Sequence, residues 1–240
     1  MKRSGSRLTG ILADADLSQV ADLMTAHRAT ILLALIGGRP LSAGQLAERA
    51  GISPPLASSH LAKLLDGGLV TVEQRGRERH YRLAGPHVAE AIEAMLTLAP
   101  QRSATSLRES TRGRAIRLAR TCYDHLAGEV GVSIHDALAA QRLLDIDGDG
   151  AYRLTEPGER RLADLGLDVP ALRAGRRAFA RPCLDWTERR PHLAGGLGAG
   201  LAARLFELEW VTRLPGTRAV RLTEPGRTGL RDALALNLPG

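Results

Sequence analysis

The pentapeptide Leu-Thr-Glu-Pro-Gly stands at 154–158 and again at 222–226, and His-Leu-Ala-Gly stands at 125–128 and again at 192–195. The displacements are 68 and 67 residues, so landmarks far apart in the chain keep their spacing to within one position. That register marks a duplicated unit, and a recurring unit buries its apolar face against its own copy. The copies fall at 116–166 and 180–235. A fainter third copy lies upstream, where Tyr81-Arg82-Leu83-Ala84-Gly85-Pro86 parallels Tyr152-Arg153-Leu154-Thr155-Glu156-Pro157. Three units of this size fill the 240 residues and leave enough length to bury a core.

The first copy states most clearly what the unit is. Leu17, Val20, Leu23, Met24, Ile31, Leu32 and Leu35 recur at helical spacing and stop at Gly37-Gly38, where missing side chains permit a left-handed turn. Residues 41–55 then read as a helix-turn-helix: Leu46 and Ala47 face a core, Gly51 makes the tight turn, and Ser53 caps a helix with Pro54 and Pro55 in its first turn. In that helix Leu61, Leu64 and Leu65 form the buried stripe. Ser58, Ser59 and Lys63 lie opposite, with His60 at the edge. Short hydroxyl side chains let a helix approach base edges, and a lysine reaches phosphate. Strands over 69–74 and 79–83 form a hairpin whose tip carries Arg75 and Arg77, with Arg79 just beyond it. Arginines there would run along the phosphates or into the minor groove.

These residues carry a resemblance. Ser58-Ser59-His60-Leu61-Ala62-Lys63-Leu64 is similar to the Ser-x-His-Leu-x-x-Leu recognition helix of ArsR-type winged helix-turn-helix regulators, and Gly68-Leu69-Val70, Arg75-Gly76-Arg77 and Tyr81-Arg82-Leu83 resemble their strand-wing-strand. The resemblance implies a homodimeric transcriptional repressor, paired through helices around 17–27 and 86–98, that leaves a double-stranded DNA operator when an inducer binds. It also implies DNA contacts from Ser53, Pro54, Pro55, Ser58, Ser59, His60, Lys63, Arg75, Arg77 and Arg79. Two departures stand out: the helix at 43–50 has no metal-binding cysteine, and the last helix offers only His87 and Glu90. A longer subset of such regulators carries Cys-Tyr-Asp-His-Leu-Ala-Gly and Cys-Leu-Asp-Trp-x-Glu-Arg-Arg-x-His-Leu-Ala-Gly, present here at 122–128 and 183–195.

The expected fold is therefore mainly α with small β-wings, an N-terminal winged helix-turn-helix followed by two repeated winged-helix-like units. Domain 1–98 binds DNA and dimerises, 99–115 is a linker or helix entry, and 116–240 is the sensor. In each repeat a hairpin is followed by the pentapeptide, with Thr as helix cap and Glu and Pro in the first turn. The middle copy is expected to carry a helix over Cys122 to His125 and an acidic hairpin, Asp145 to Gly150, that repels phosphate. The last copy keeps Arg213 and Arg218 at its hairpin.

Charge and chemistry set the remaining bounds. Lys and Arg number 33 against 26 Asp and Glu, mostly arginine, which suits a polyanionic partner. Two cysteines are too few for a disulfide scaffold, no apolar signal core follows the start, and the aliphatic run Ile31–Ile36 is far short of a membrane span. A cytoplasmic protein without membrane association is expected. Motifs for phosphate loops, nucleophile elbows or zinc proteases are missing, and Asp185 with Glu188 reads as an ion-paired helix face beside Arg189 and Arg190, so no enzyme is expected. The alternative to a repressor is a constitutive architectural DNA-binding protein. For sensing, Cys122, His125, Cys183 and His192 are the candidates: two thiolates and two imidazoles suit a soft or borderline metal such as zinc, and the cysteines alone suit a redox switch. Against this stand cysteines buried as small hydrophobes and histidines holding turns. A ligand cleft lined by Tyr123, Trp186 and Trp210 between the repeats is the other candidate.

Overall fold

A computed structural model describes residues 23–99, 107–146 and 152–238. These residues form two compact units: 23–35 with 39–85, and 36–38 with 86–238. The positions 17–22 expected to begin the first helix, and the hairpin residues 147–150, lie outside the described residues.

In the first unit, α1 (Ala26–Leu35) buries Ile31, Leu32 and Leu35 on one stripe. Strand β1 (Leu41–Ser42) leads into α2 (Ala43–Ala50), whose start is a reciprocal cap: Ser42 accepts from the Gln45 amide while the Gln45 side chain accepts from the Ser42 amide. Gly51 closes α2 at φ 65°, a left-handed value that favours glycine. Helix α3 (Pro54–Asp66) follows, with Ser53 extended at its N-cap but making no side-chain cap bond, and prolines at the first positions. Strands β2 (Val70–Arg75) and β3 (Glu78–Leu83) form the wing, and the sheet order is β1-β3-β2, antiparallel throughout. This is a winged helix-turn-helix, as the sequence leads one to expect.

The second unit opens with α4 (Pro86–Leu98) and α5 (Leu107–Leu118); the former is a helix that the sequence attaches to the N-terminal domain, and the latter lies largely in the expected linker. Two copies of one motif follow. The first is hairpin β4 (Arg120–Cys122) and β5 (His125–Ala127), helix α6 (Gly128–Ala140), hairpin β6 (Leu144–Ile146) and β7 (Tyr152–Leu154), and helix α7 (Glu156–Asp164). After the short α8 (Val169–Arg173), the second is hairpin β8 (Arg181–Leu184) and β9 (Pro191–Ala194), helix α9 (Gly195–Glu207), hairpin β10 (Val211–Arg213) and β11 (Val220–Leu222), and helix α10 (Glu224–Leu234). The helix expected over Cys122 to His125 is thus a β-hairpin, a correction with a consequence for the site. Strands of three residues, buried at every position, carry no alternation by which to be recognised.

The pentapeptide does what its residues suggest. Thr155 and Thr223 cap α7 and α10, each accepting from the amide of the pentapeptide glycine, at 3.1 Å from Gly158 and 3.0 Å from Gly226. The glycine has a separate reason. A Cβ on Gly158 would stand 2.1 Å from the Leu143 carbonyl oxygen and one on Gly226 2.1 Å from that of Trp210, so both helices approach the residue that enters the preceding hairpin more closely than any side chain permits.

The core of the second unit is shared by the copies. Val130, Ile134 and Leu138 of α6 and Leu197, Leu201 and Leu205 of α9 belong to one buried cluster. The helices are exchanged: α6 packs on β9 of the other copy, and α9 packs on β5. Contacts that run from one copy to the other and back are the mark of a two-fold relation.

Candidate functional site

The outer face of α3 is open. Ala57, Leu61 and Leu64 point into the first unit, while Ser53, Pro54, Pro55, Ser58, Ser59 and Lys63 are exposed. His60 is half-buried against α1, its ring 5.5 Å from that of His27 and its Nδ1 3.4 Å from an Arg28 guanidinium nitrogen. Burial first, then Arg28, His27 and Lys63, holds its pKa below the ordinary value. His60 therefore belongs to the seam between α3 and α1 more than to the exposed face. On the wing Arg75, Arg77 and Arg79 are exposed; Arg75 pairs with Glu73, and Arg79 lies 5.6 Å over the Tyr81 ring. The wing turn closes at Gly76 with Arg75 opposite Glu78, which puts the Arg77 side chain at the tip.

A second constellation sits inside the C-terminal unit. Cys122 and His125 are directly opposed on the β4–β5 hairpin, and Cys183 and His192 are directly opposed on β8–β9. Side chains on directly opposed strand positions stand side by side on one face. The hairpins abut through β5 and β9, so the four side chains converge. The sulfurs are 3.9 Å apart, the two Nε2 atoms are 3.2 Å apart, and all four ligand-type atoms lie within 4.8 Å of one another. All four residues are buried. The expected histidine equivalence is accompanied by an unexpected cysteine equivalence: the cysteines are 61 residues apart and the histidines 67, so the second hairpin carries a six-residue longer loop. That insertion hides the repeat of the cysteines in the sequence.

The helices allow this convergence. A Cβ on Gly131 of α6 would meet the Leu126 carbonyl oxygen at 2.6 Å and the His192 Cβ at 3.7 Å; one on Gly198 of α9 would meet the Leu193 oxygen at 2.3 Å and the His125 Cβ at 3.4 Å. Each glycine roofs the other copy's histidine.

The surroundings are polarised. His125 Nδ1 faces Asp124 Oδ1 at 3.1 Å, and Arg177 pairs with the same carboxylate. His192 Nδ1 faces Asp185 Oδ2 at 3.5 Å. The hydrogen bond between the two sulfurs, aided by His125 and His192, lowers the Cys183 thiol pKa against the cost of burial. The same bond, reinforced by burial, pushes Cys122 up. Burial disfavours a charged His125, but Asp124 and Cys183 outweigh it and raise the ring.

Asp185 corrects the expectation of a surface ion-paired helix face. It is fully buried in the β8–β9 loop, accepting from the amides of Gly128 at 2.6 Å, Thr187 at 2.9 Å and Glu188 at 3.1 Å, with the Arg120 guanidinium 2.9 Å away. Burial opposes its charge, but Arg120 and these donors hold its carboxyl well below the usual range. Arg120, itself fully buried, also stacks 5.0 Å over the Trp186 ring and lies 4.0 Å from Glu93. Charge alone gives no sequence signal for such burial; the one available hint was that Asp185 lies inside the Cys-Leu-Asp-Trp segment.

The remaining candidates are dispersed. Glu90, once a possible partner of the exposed His87, is engaged by Arg181, and Arg218 pairs with the buried Glu93. Arg213 stacks 4.3 Å over Phe206. Tyr123 sits in the two-residue β4–β5 turn, Trp186 under Arg120, and Trp210 against Gly226 and Gly229. A small apolar cavity between the copies is lined by Leu126, Gly131, Ile134, Leu193, Gly198, Leu201 and Ala202, with none of the three aromatics.

A helix-turn-helix with an exposed polar recognition helix and an arginine-tipped hairpin defines a DNA-binding regulator of the winged helix-turn-helix class. Residues 23–73 match a helix-turn-helix domain family. Over 224 residues the chain is 42% identical to a Bacillus subtilis (strain 168) protein described as the uncharacterized HTH-type transcriptional regulator YdfF, spanning 93% of this chain and 99% of that one. The chain belongs to this family of HTH-type transcriptional regulators, and the duplicated half is part of what the two proteins share. Among solved structures it is similar to the homodimeric winged helix-turn-helix domain of Mb0332 from Mycobacterium bovis, described as a possible ArsR-family regulator, with 26% identity over 41% of this chain and 89% of that one at a TM-score of 0.33. It is also similar to reduced HlyU from Vibrio cholerae N16961, with 27% identity over 40% of this chain and 100% of that one at a TM-score of 0.35. Among the described residues no helix is long and apolar enough to cross a membrane.

Proposed function

We propose that the chain is a cytoplasmic homodimeric repressor that reads a palindromic operator with Ser58 and Ser59 of α3, anchors on phosphate through Lys63, Arg75 and Arg77, and is regulated through its C-terminal unit. The observation that carries this reading is the exposure of the polar α3 face beside the basic hairpin tip. Exposed apolar side chains on α4, Met95 and Leu98, support dimerisation through the segment around 86–98 that the resemblance implies. The repressor does no chemistry in this reading.

The test is selection of binding sequences from a random pool, followed by affinity measurement against salt. A dimer selects two half-sites about one helical turn apart. Arg75→Ala or Arg77→Ala weakens binding to every sequence and lowers the salt slope by about one, because each removes a phosphate contact. Ser58→Ala or Ser59→Ala changes which sequence is preferred. An unchanged salt slope in both wing variants rejects the phosphate role, and selection without any preferred sequence favours the architectural alternative.

A further inference from the structure

We propose that Cys122, His125, Cys183 and His192 form a closed tetrahedral zinc site at the centre of the C-terminal unit, half of it supplied by each repeat. The inference concerns this unit alone and does not depend on operator recognition.

The donor set comes first. Two thiolates and two imidazoles select zinc over hard cations such as magnesium or calcium, and they are the composition of closed structural zinc sites. Two of the separations agree. Zinc–sulfur bonds of about 2.3 Å and zinc–nitrogen bonds of about 2.0–2.1 Å put the sulfurs of a regular tetrahedron about 3.8 Å apart and the nitrogens about 3.3 Å apart. The observed separations are 3.9 Å and 3.2 Å. A disulfide requires a sulfur separation of about 2.0 Å.

Orientation supplies an independent argument. Both rings turn Nε2 inward and Nδ1 towards a carboxylate, Asp124 at 3.1 Å and Asp185 at 3.5 Å. A carboxylate behind the outer nitrogen fixes the tautomer and aim of a metal-bound imidazole. In the other tautomer of one ring its Nε2–H donates to the second ring, whereas when both Nδ1 atoms carry the proton the two Nε2 lone pairs face each other at 3.2 Å. A cation between them turns that repulsion into two bonds. Because all four residues are buried, no coordination position is left open to solvent or substrate, which separates the site from a catalytic one.

Neither repeat holds more than one Cys and one His of the set, so zinc acts as a clasp between the hairpins. Four ligands on two hairpins also explain why Gly131 and Gly198 keep the helices close over the histidines.

The test uses the full chain purified without a histidine tag from zinc-supplemented cells. Elemental analysis is expected to give one zinc per chain, and replacement by cobalt to give the intense visible bands of a tetrahedral ion with thiolate charge transfer. The double variant Cys122→Ser/Cys183→Ser loses both. Asp124→Asn provides a reading that leaves every ligand in place: its zinc affinity, by competition with a chromophoric chelator, falls about 10–100-fold with an unchanged circular dichroism spectrum. Zinc-free wild-type protein with no tetrahedral cobalt spectrum overturns the proposal. So does full zinc content in the double serine variant, or a Cys122–Cys183 disulfide in freshly isolated protein.

Discussion

Arg120→Met removes the cation from a fully enclosed charge network while keeping a stem of similar length. The guanidinium is fully buried, 2.9 Å from Asp185 and 4.0 Å from Glu93, and donates to Thr187 Oγ1 at 3.2 Å and the Ile116 carbonyl at 3.3 Å. Removing one partner of a buried pair costs about 3–5 kcal/mol, because the other charge stays behind uncompensated. Here Asp185 keeps the Gly128, Thr187 and Glu188 amides, and Glu93 keeps Arg218. That puts the loss at the lower end, about 3 kcal/mol, or about 6–12 °C of midpoint for a unit of this size. Both tryptophans of the chain, Trp186 and Trp210, lie in the second unit, so tryptophan fluorescence during urea or thermal unfolding reports on that unit alone. The control is Arg160→Met, which breaks an exposed pair with Glu156 and is expected to cost under about 1 kcal/mol. Arg120→Met/Asp185→Asn recovers part of the loss: the amide removes the stranded charge and keeps an acceptor oxygen for the Thr187 and Glu188 amides, but it sets an NH2 donor against the Gly128 N–H. If Arg120→Met costs no more than Arg160→Met, or if the double variant is no better than the single, the buried network does not stabilise the unit in this way.

Gly226→Ala and Gly158→Ala each drive a Cβ to 2.1 Å from a backbone carbonyl and are expected to cost about 3 kcal/mol or more in urea unfolding followed by tryptophan fluorescence. Gly216→Ala, where the space is open and only φ of +67° opposes the side chain, costs about 1–2 kcal/mol; equal losses at the three positions contradict the close-approach argument. The lowered pKa of His60 means that the folded first unit binds fewer protons than the unfolded one in the window just below the ordinary histidine value. Stability of that unit therefore rises with pH through this window and falls as pH drops into it. His60→Gln removes that dependence, read as urea midpoints by circular dichroism on either side of pH ~6.5; a wild-type dependence of the opposite sign refutes the assignment.

The elements legible in the sequence were those with length or special backbone. Helix α3 announces itself through a leucine stripe and the proline start, the turn before it through Gly51, and the caps of α7 and α10 through a repeated threonine. The candidate cluster was legible as residue types but not as geometry. Cys122 and His125 are three apart, a spacing that fits one helix face and also the opposed positions of a hairpin with a two-residue turn; nothing in the intervening Tyr123-Asp124 decides between them. Cys183 and His192, nine apart across Pro191, fit neither one helix face nor a tight turn, and the long loop masked their kinship with the first pair. Asp185 and Arg120 escaped because charged side chains are usually exposed, and burial becomes possible only when distant segments supply the partner.

The exchange of helices between the copies has a historical reading. Two molecules of a single-repeat protein, paired about a true axis, would bring the same two cysteines and two histidines together. Fusion makes that encounter intramolecular, with an effective concentration in the millimolar range that no longer depends on how much protein the cell holds. It also lifts a restriction. A symmetric pair must carry every feature twice, whereas a fused pair can differ from one side to the other. The six extra residues of the second hairpin, which bring Asp185, Trp186 and Thr187 around Arg120, are a departure from symmetry that no homodimer could have kept on one side only.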